Sequence, residues 1–297
     1  MRRLAASVVL GWALVAPGVV VRAQAEPVQL RHDGRTLNAD LALPPGGSIR
    51  DGLVILVHGT LMHGRMEIMA ALQKNLAERG IGSLAITLSL GLDDRRGPYD
   101  CAVPHRHMLD EAAGEIGAWA RWAKERGAGR IDLAGHSRGG AQAAYALAIK
   151  AAHDIQRLVL IAPTTFDAGE VASGYERSFG MPLAPLLASA MTRVATPRML
   201  LRPVGFLYCR DAGVAPRTFV DTYTMPERHD TPTLLAGIDV PALLVIAGND
   251  AVVRGLDRRM LPVPDRVAVA TIDGADHQFR DLYGDDLADA VAAFLKR

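Results

Sequence analysis

RIDLAGHSRGGAQAAYALAIK, residues 130–150, is the stretch whose reading decides the fold. Arg130 to Ala134 is short and aliphatic, as a buried strand should be, and Gly139 to Lys150 is an alanine-rich run suited to a helix. Between them, Gly135-His136-Ser137-Arg138-Gly139 matches the G-x-S-x-G pattern of a nucleophile elbow. A serine on so sharp a turn sits in strained backbone, so the residues two positions before and after it must be small for strand and helix to approach. Its hydroxyl then stands free at the carboxyl edge of the sheet, where the helix N-terminus favours developing negative charge. The plainer alternative is a glycine-rich turn with a capping serine; the buried strand before it and the helix after it favour the nucleophile.

Outward from this elbow, strand and helix alternate. Val28 to Leu43 reads as a hairpin turning at Asp33-Gly34, and Leu53 to Val57 is a continuous aliphatic run, as expected of a strand buried on both faces. A helix over Arg65 to Arg79, a strand from Ser83 to Leu90 and a helix over Asp110 to Arg126 precede the elbow. A strand at Arg157 to Ala162 follows it. The order resumes at Pro241 to Ala247, with a helix near Arg254 to Met260, a strand at Arg266 to Ile272 and a last amphipathic helix at Asp285 to Lys296. Such alternation predicts an α/β fold with a mostly parallel sheet. The pattern breaks over residues 167–237, where prolines and short apolar helical stretches read as an inserted cap. Within it, Met181 to Leu201 is apolar enough to line an acyl or aromatic pocket, or to pack the cap onto the core.

An unassisted serine is a poor nucleophile and needs a positioned base. His277 is the candidate, because it follows the strand ending at Ile272 and a loop there delivers it to the same sheet edge. Asp250, closing the aliphatic strand Ala242 to Ala247, is the candidate acid that fixes the histidine tautomer, with Asp276 as its rival. The chain order Ser, Asp, His is the one this architecture uses. Two donors should receive the oxyanion: the backbone N–H of Arg138, and one from the loop after Val57, where Thr60 leads and Leu61 is next. His58 reads as structural.

With these residues in hand, the chain resembles the α/β-hydrolase superfamily, in its carboxylesterase and serine-aminopeptidase-like part. The likeness spans about Leu53 to Arg297 and rests on His58-Gly59-Thr60, Gly135 to Gly139, Gly248 to Asp250 and Ala275-Asp276-His277. It implies an eight-stranded, mostly parallel sheet flanked by helices, a helical cap inserted after the sixth strand, and catalysis by Ser137, Asp250 and His277. The expected reaction is cleavage of a small ester-like substrate, or a thioester or amide, through an acyl-enzyme, without metal or cofactor. His58-Gly59-Thr60-Leu61 departs from the HGGG run of many lipases. A catalytically silent binding module, or a lyase or perhydrolase using the same three residues, is the alternative.

The remaining features bear on location and partners. Arg2 and Arg3 precede an uncharged, mostly apolar run from Leu4 to Val21, and Ala23-Gln24-Ala25 follows, so residues 1–25 read as a signal peptide cut after Ala25. A periplasmic or secreted domain of residues 26–297 is expected, with no stable membrane insertion after cleavage. Three of the 33 basic residues fall in that segment, leaving 30 against 32 acidic ones, which gives no electrostatic case for nucleic acid. Cys101 and Cys209 are the only cysteines, and an oxidising compartment makes a disulfide between them plausible, two unpaired thiols being the alternative. The run Asp93 to Cys101, with His105 and His107 beyond it, reads as a charge-paired, solvated loop or a wall of the pocket; two histidines so spaced make a poor metal site.

Overall fold

The computed structural model describes residues 25–196, 198–224, 228 and 230–297. The segment read as a signal peptide therefore lies, except for Ala25, outside the described residues.

The strand Leu53–Val57 (β3) explains the architecture. Its five side chains are all buried, but alternately: Leu53, Ile55 and Val57 enter one apolar cluster, while Val54 and Leu56 enter another on the opposite face. Successive strand residues point to opposite faces, so a strand covered on both sides has no polar position to show. It lies in parallel between β4 (Ser83–Thr87) and β5 (Ile131–His136). The same two-sided burial recurs in β6 (Ile155–Ile161), where Leu158 and Leu160 face the first cluster and Val159 and Ile161 the second.

On the antiparallel side of the sheet, β1 (Glu26–His32) and β2 (Arg35–Ala42) form the expected hairpin, and Asp33 and Gly34 both take positive φ, 45° and 78°. Such a turn matches the twist of the strands it joins. Strand β2 then runs antiparallel to β4. The helices α1 (Glu67–Glu78), α2 (Leu109–Glu125) and α3 (Arg138–Ala148) alternate with the strands up to β6.

After β6 comes the cap: α4 (Ala168–Phe179), α5 (Leu183–Met191), β7 (Leu201–Phe206), β8 (Cys209–Val214), α6 (Pro216–Thr224) and α7 (Thr231–Ala236). Strand β9 (Ala242–Ala247), the short α8 (Leu256–Arg259), β10 (Val267–Ile272) and α9 (Tyr283–Leu295) complete the chain. The main sheet has eight strands in the order β1-β2-β4-β3-β5-β6-β9-β10. α1 and α9 pack together over one face, and α2 and α3 over the other.

The sequence suggested a purely helical cap, and the structure corrects this. β7 and β8 form an antiparallel hairpin, burying Leu201, Val204 and Phe206 beside Cys209, Ala212 and Val214. Pro203 and two glycines hide this pattern, because proline and glycine inside a run argue against a strand. Each glycine answers to packing: a Cβ at Gly205 would run into the Phe179 ring, and one at Gly213 into the Arg202 side chain.

The loop after β4 is tied to this hairpin. His105 donates its amide to the Gly213 carbonyl and accepts from Ala215, at 2.8 and 2.9 Å, and Cys101 is disulfide-bonded to Cys209 with their Cα atoms 5.5 Å apart. Only part of the loop is the charge-paired surface expected: Asp94 and Arg96 pair in solvent, whereas Arg95, Tyr99, His105 and His107 are buried. His105 stacks on Tyr99 with ring centroids 4.6 Å apart and leans on Phe206, so it serves as packing beneath the cap.

Candidate active site

Strand β5 ends and α3 begins at Ser137, whose φ of 55° and ψ of −125° place a non-glycine residue in strained backbone. The close approach demanded by that turn is visible atom by atom. A Cβ at Gly135 would overlap the Gly139 carbonyl, and one at Gly139 would overlap the carbonyls of His58 and Val57. Gly59 brings its backbone against Ser137, where a Cβ on the glycine would stand only 3.4 Å from that of the serine.

The structure brings the three sequence-selected side chains together. His277 Nε2 lies 2.9 Å from Ser137 Oγ, and His277 Nδ1 lies 2.7 Å from Asp250 Oδ2. Asp250 Oδ1 accepts from the amides of Val252 and Val253 at 2.7 and 2.8 Å, which leaves Oδ2 to the histidine. Burial alone pushes Asp250 upward, but the His277 ring N–H and these two amides outweigh it and hold the carboxyl below its ordinary value. An ionised acid on Nδ1 puts the proton there and leaves Nε2 basic toward the serine. Asp276, the rival, instead accepts from the Gln278 amide and pairs with Arg280 at 3.2 Å.

Two neighbours that the sequence treated as incidental complete the frame. His136 Nε2 donates to the His277 carbonyl at 2.8 Å, its other nitrogen being buried without a partner. Burial, with the neighbouring His277, lowers it to about 4, so it is neutral at physiological pH. His58 is structural, as expected: Nδ1 donates to the Gly59 carbonyl, while Nε2 accepts from the Leu88 amide and from Arg95 Nη2, both at 3.1 Å. Burial and the Arg95 charge lower it to about 3. Arg95, which looked like one more charge in an acidic and basic run, is the strut that fixes the loop carrying Gly59 and Thr60.

Ser137 and His277 open onto a cleft of about 500 Å³ walled by Gly59, Thr60, Met62, Met66, Leu207, Tyr208 and Val252. Thr60 lines this cleft and, with Leu61 and Arg138, a smaller space behind it. Leu61 takes positive φ, 55°, as the chain turns there. The cap supplies its wall through the tip of the β7–β8 hairpin, where the Leu207 amide donates to Tyr223 Oη at 2.9 Å. The apolar stretch from Met181 to Leu201 does not line it: Met181, Met191, Val194 and Met199 lie exposed on the cap. Among the described residues no three His, Cys, Asp or Glu side chains converge to hold a metal ion.

Residues 54–294 match the family described as "Alpha/beta hydrolase family". The chain belongs to that family. No curated protein matches the sequence. Among solved structures, the family member is similar to Est1E of Butyrivibrio proteoclasticus bound to ferulic acid, at 20% identity and a TM-score of 0.67, over 91% of this chain and 98% of that one. An esterase from Pyrococcus furiosus is 18% identical with a TM-score of 0.62, over 98% and 96% of the two chains. The esterase domain of a Rhodothermus marinus protein is 15% identical with a TM-score of 0.61, over 92% and 98%. At these identities the likeness is one of fold.

Proposed function

We propose that this α/β hydrolase is an exported serine hydrolase that cleaves carboxylic esters through an acyl-enzyme on Ser137. The observation that carries the reading is the unbroken chain from Asp250 through His277 to Ser137 Oγ, at 2.7 and 2.9 Å. In the reaction, Oγ adds to the ester carbonyl carbon as its proton passes to His277 Nε2, and Asp250 stabilises the imidazolium. The backbone N–H groups of Arg138 and of the Thr60 loop receive the oxyanion. Collapse breaks the bond to the leaving alkoxide, which takes the proton from His277. Water, deprotonated by the same nitrogen, then releases the acid and restores the serine.

The apolar walls Met62, Met66 and Val252 and the half-exposed Tyr208 ring suit an acyl or aryl group, with thioesters and small amides as further substrates. Export is supported by the pattern of residues 1–25 and by the Cys101–Cys209 disulfide, a bond that persists in oxidising compartments.

The test is labelling of residues 26–297 with a fluorophosphonate probe, followed by peptide mapping, in the wild type, Ser137→Ala and His277→Ala. Label on Ser137 that is lost in both variants is the expected result. A folded wild-type protein that takes no label overturns the hydrolase reading and leaves a binding module in its place.

A further inference from the structure

Behind the cleft lies a second, nearly enclosed space with room for about one water-sized group. It shares Gly59, Thr60 and Leu207 with the cleft, and its far side is formed by His107, Arg138 and Gln142. The polar groups there are unbalanced. Among the described residues, Arg138 makes no side-chain hydrogen bond and has no carboxylate at ion-pair distance. Asp221, an acid whose charge reaches it, is already taken up by Arg228 at 2.8 Å and by the Leu109 amide at 2.9 Å. His107 is only 9% exposed and its Nδ1 is buried without a partner. Gln142 is 6% exposed beside it.

A buried guanidinium without a counter-ion is costly, and a buried ring nitrogen without a partner adds to that cost. Both are relieved by an acceptor oxygen carrying negative charge. A site whose polar groups are completed only by the substrate discriminates strongly against analogues that lack the matching group. The space begins at Thr60 and Arg138, where the ester carbonyl oxygen is expected, so the group entering it belongs to the acyl half. That half stays attached to Ser137 through both half-reactions.

We propose that this space is an anion subsite that receives the terminal carboxylate of a short acyl chain, with Arg138 as counter-ion and His107 and Gln142 as hydrogen-bond partners. The favoured substrates are then half-esters of short dicarboxylic acids. The proposal rests on Ser137 being the nucleophile for its kinetic consequences, but not for binding.

Two measurements separate these. First, kcat/KM is compared for 4-nitrophenyl hemisuccinate and hemiglutarate against the neutral butyrate and pentanoate. The wild type should prefer the anionic esters by about 10- to 100-fold, the worth of a hydrogen bond to a charged group. Arg138→Met, which keeps the backbone N–H, should abolish that preference, and Arg138→Lys should retain part of it. Gln142→Leu, which leaves the charge in place, should lower it several-fold and serves where Arg138→Met does not fold. Hydrolysis of neutral esters with no preference in the wild type overturns the proposal and leaves an internal water as the occupant. Second, succinate and glutarate are titrated into Ser137→Ala while the His107 ring nitrogens are followed by NMR. Saturable shifts that weaken about 10-fold or more on adding Arg138→Met support the subsite even if no ester is cleaved. The absence of any shift overturns it whatever the catalytic outcome.

Discussion

His136 Nε2 lies 2.8 Å from the carbonyl oxygen of His277, so the residue before the proposed nucleophile holds the backbone of the proposed base. The two are 141 positions apart in the chain and come from opposite ends of the site. His136→Phe keeps the ring and removes the donor. A misplacement of about 1 Å in a catalytic group costs up to about 100-fold, so kcat on an ester should fall by about 10- to 100-fold with KM within about threefold. A variant with wild-type kcat would show that the carbonyl contact does not position the base.

Gly139 carries the sharpest steric prediction. Its missing Cβ would overlap the carbonyls of both Val57 and His58, which are backbone atoms of the central strand and its exit and do not yield as a flexible side chain does. Overpacking a tight core costs about 1–3 kcal/mol, and backbone obstacles place this site at the upper end. Gly139→Ala should lower stability in urea by that amount and displace Ser137, with loss of fluorophosphonate labelling. Gly80→Ala offers a contrast: no atom lies within 4 Å of its Cβ position, and its positive φ of 77° is the only penalty.

Much of this arrangement was legible because it depends on local pattern. Leu53 to Val57 announces a strand covered on both sides, and the two glycines around Ser137 announce a close crossing of helix and strand. Asp250 and His277 were legible from their places just after strands. The cap hairpin was not, since Arg202-Pro203, Gly205 and the charged pair Arg210-Asp211 interrupt its alternation, and its burial depends on partners in α4 and α6. Arg95 and His136 were missed for a related reason. Each bonds to groups that only the folded chain brings near, and no spacing in the sequence encodes a contact with a distant backbone carbonyl.

Cys101 and Cys209 join the loop after β4 to the strand whose turn walls the cleft, closing a sequence separation of 108 residues. Chain-entropy arguments give about 4 to 5 kcal/mol for a loop of this length, with about 2–5 kcal/mol typical on removing a native bridge. Cys101→Ser with Cys209→Ser should lower stability within that range. Because Leu207 and Tyr208 directly precede Cys209, KM for aryl esters should also rise several-fold, with kcat less affected. Identical KM values in the oxidised protein and the double variant would separate the disulfide from the cleft.

Glu115 sets a pH dependence of its own. It is 3% exposed and accepts from the Ser89 amide at 2.7 Å and from the Ser89 hydroxyl; burial nevertheless raises it from 4.5 to about 7. Between these values the folded protein keeps a proton that the unfolded chain has lost, so this group's contribution to stability is full below about pH 4.5 and declines as pH rises to about 7. The buried histidines act in the opposite sense. His58, His107, His105 and His136 are lowered to between about 3 and 4, so the unfolded chain binds the extra protons and stability is lost as pH falls from about 6.5. Four such histidines outweigh Glu115, and the wild-type urea midpoint should fall on acidification from pH 7 to pH 5. Glu115→Gln removes the opposing proton, so the variant's stability relative to wild type should rise with pH by about 1.4 kcal/mol per unit across pH 5 to 7. A difference that stays flat over that window would mean Glu115 is ionised in the fold throughout, with Arg95 as the charge that keeps it so.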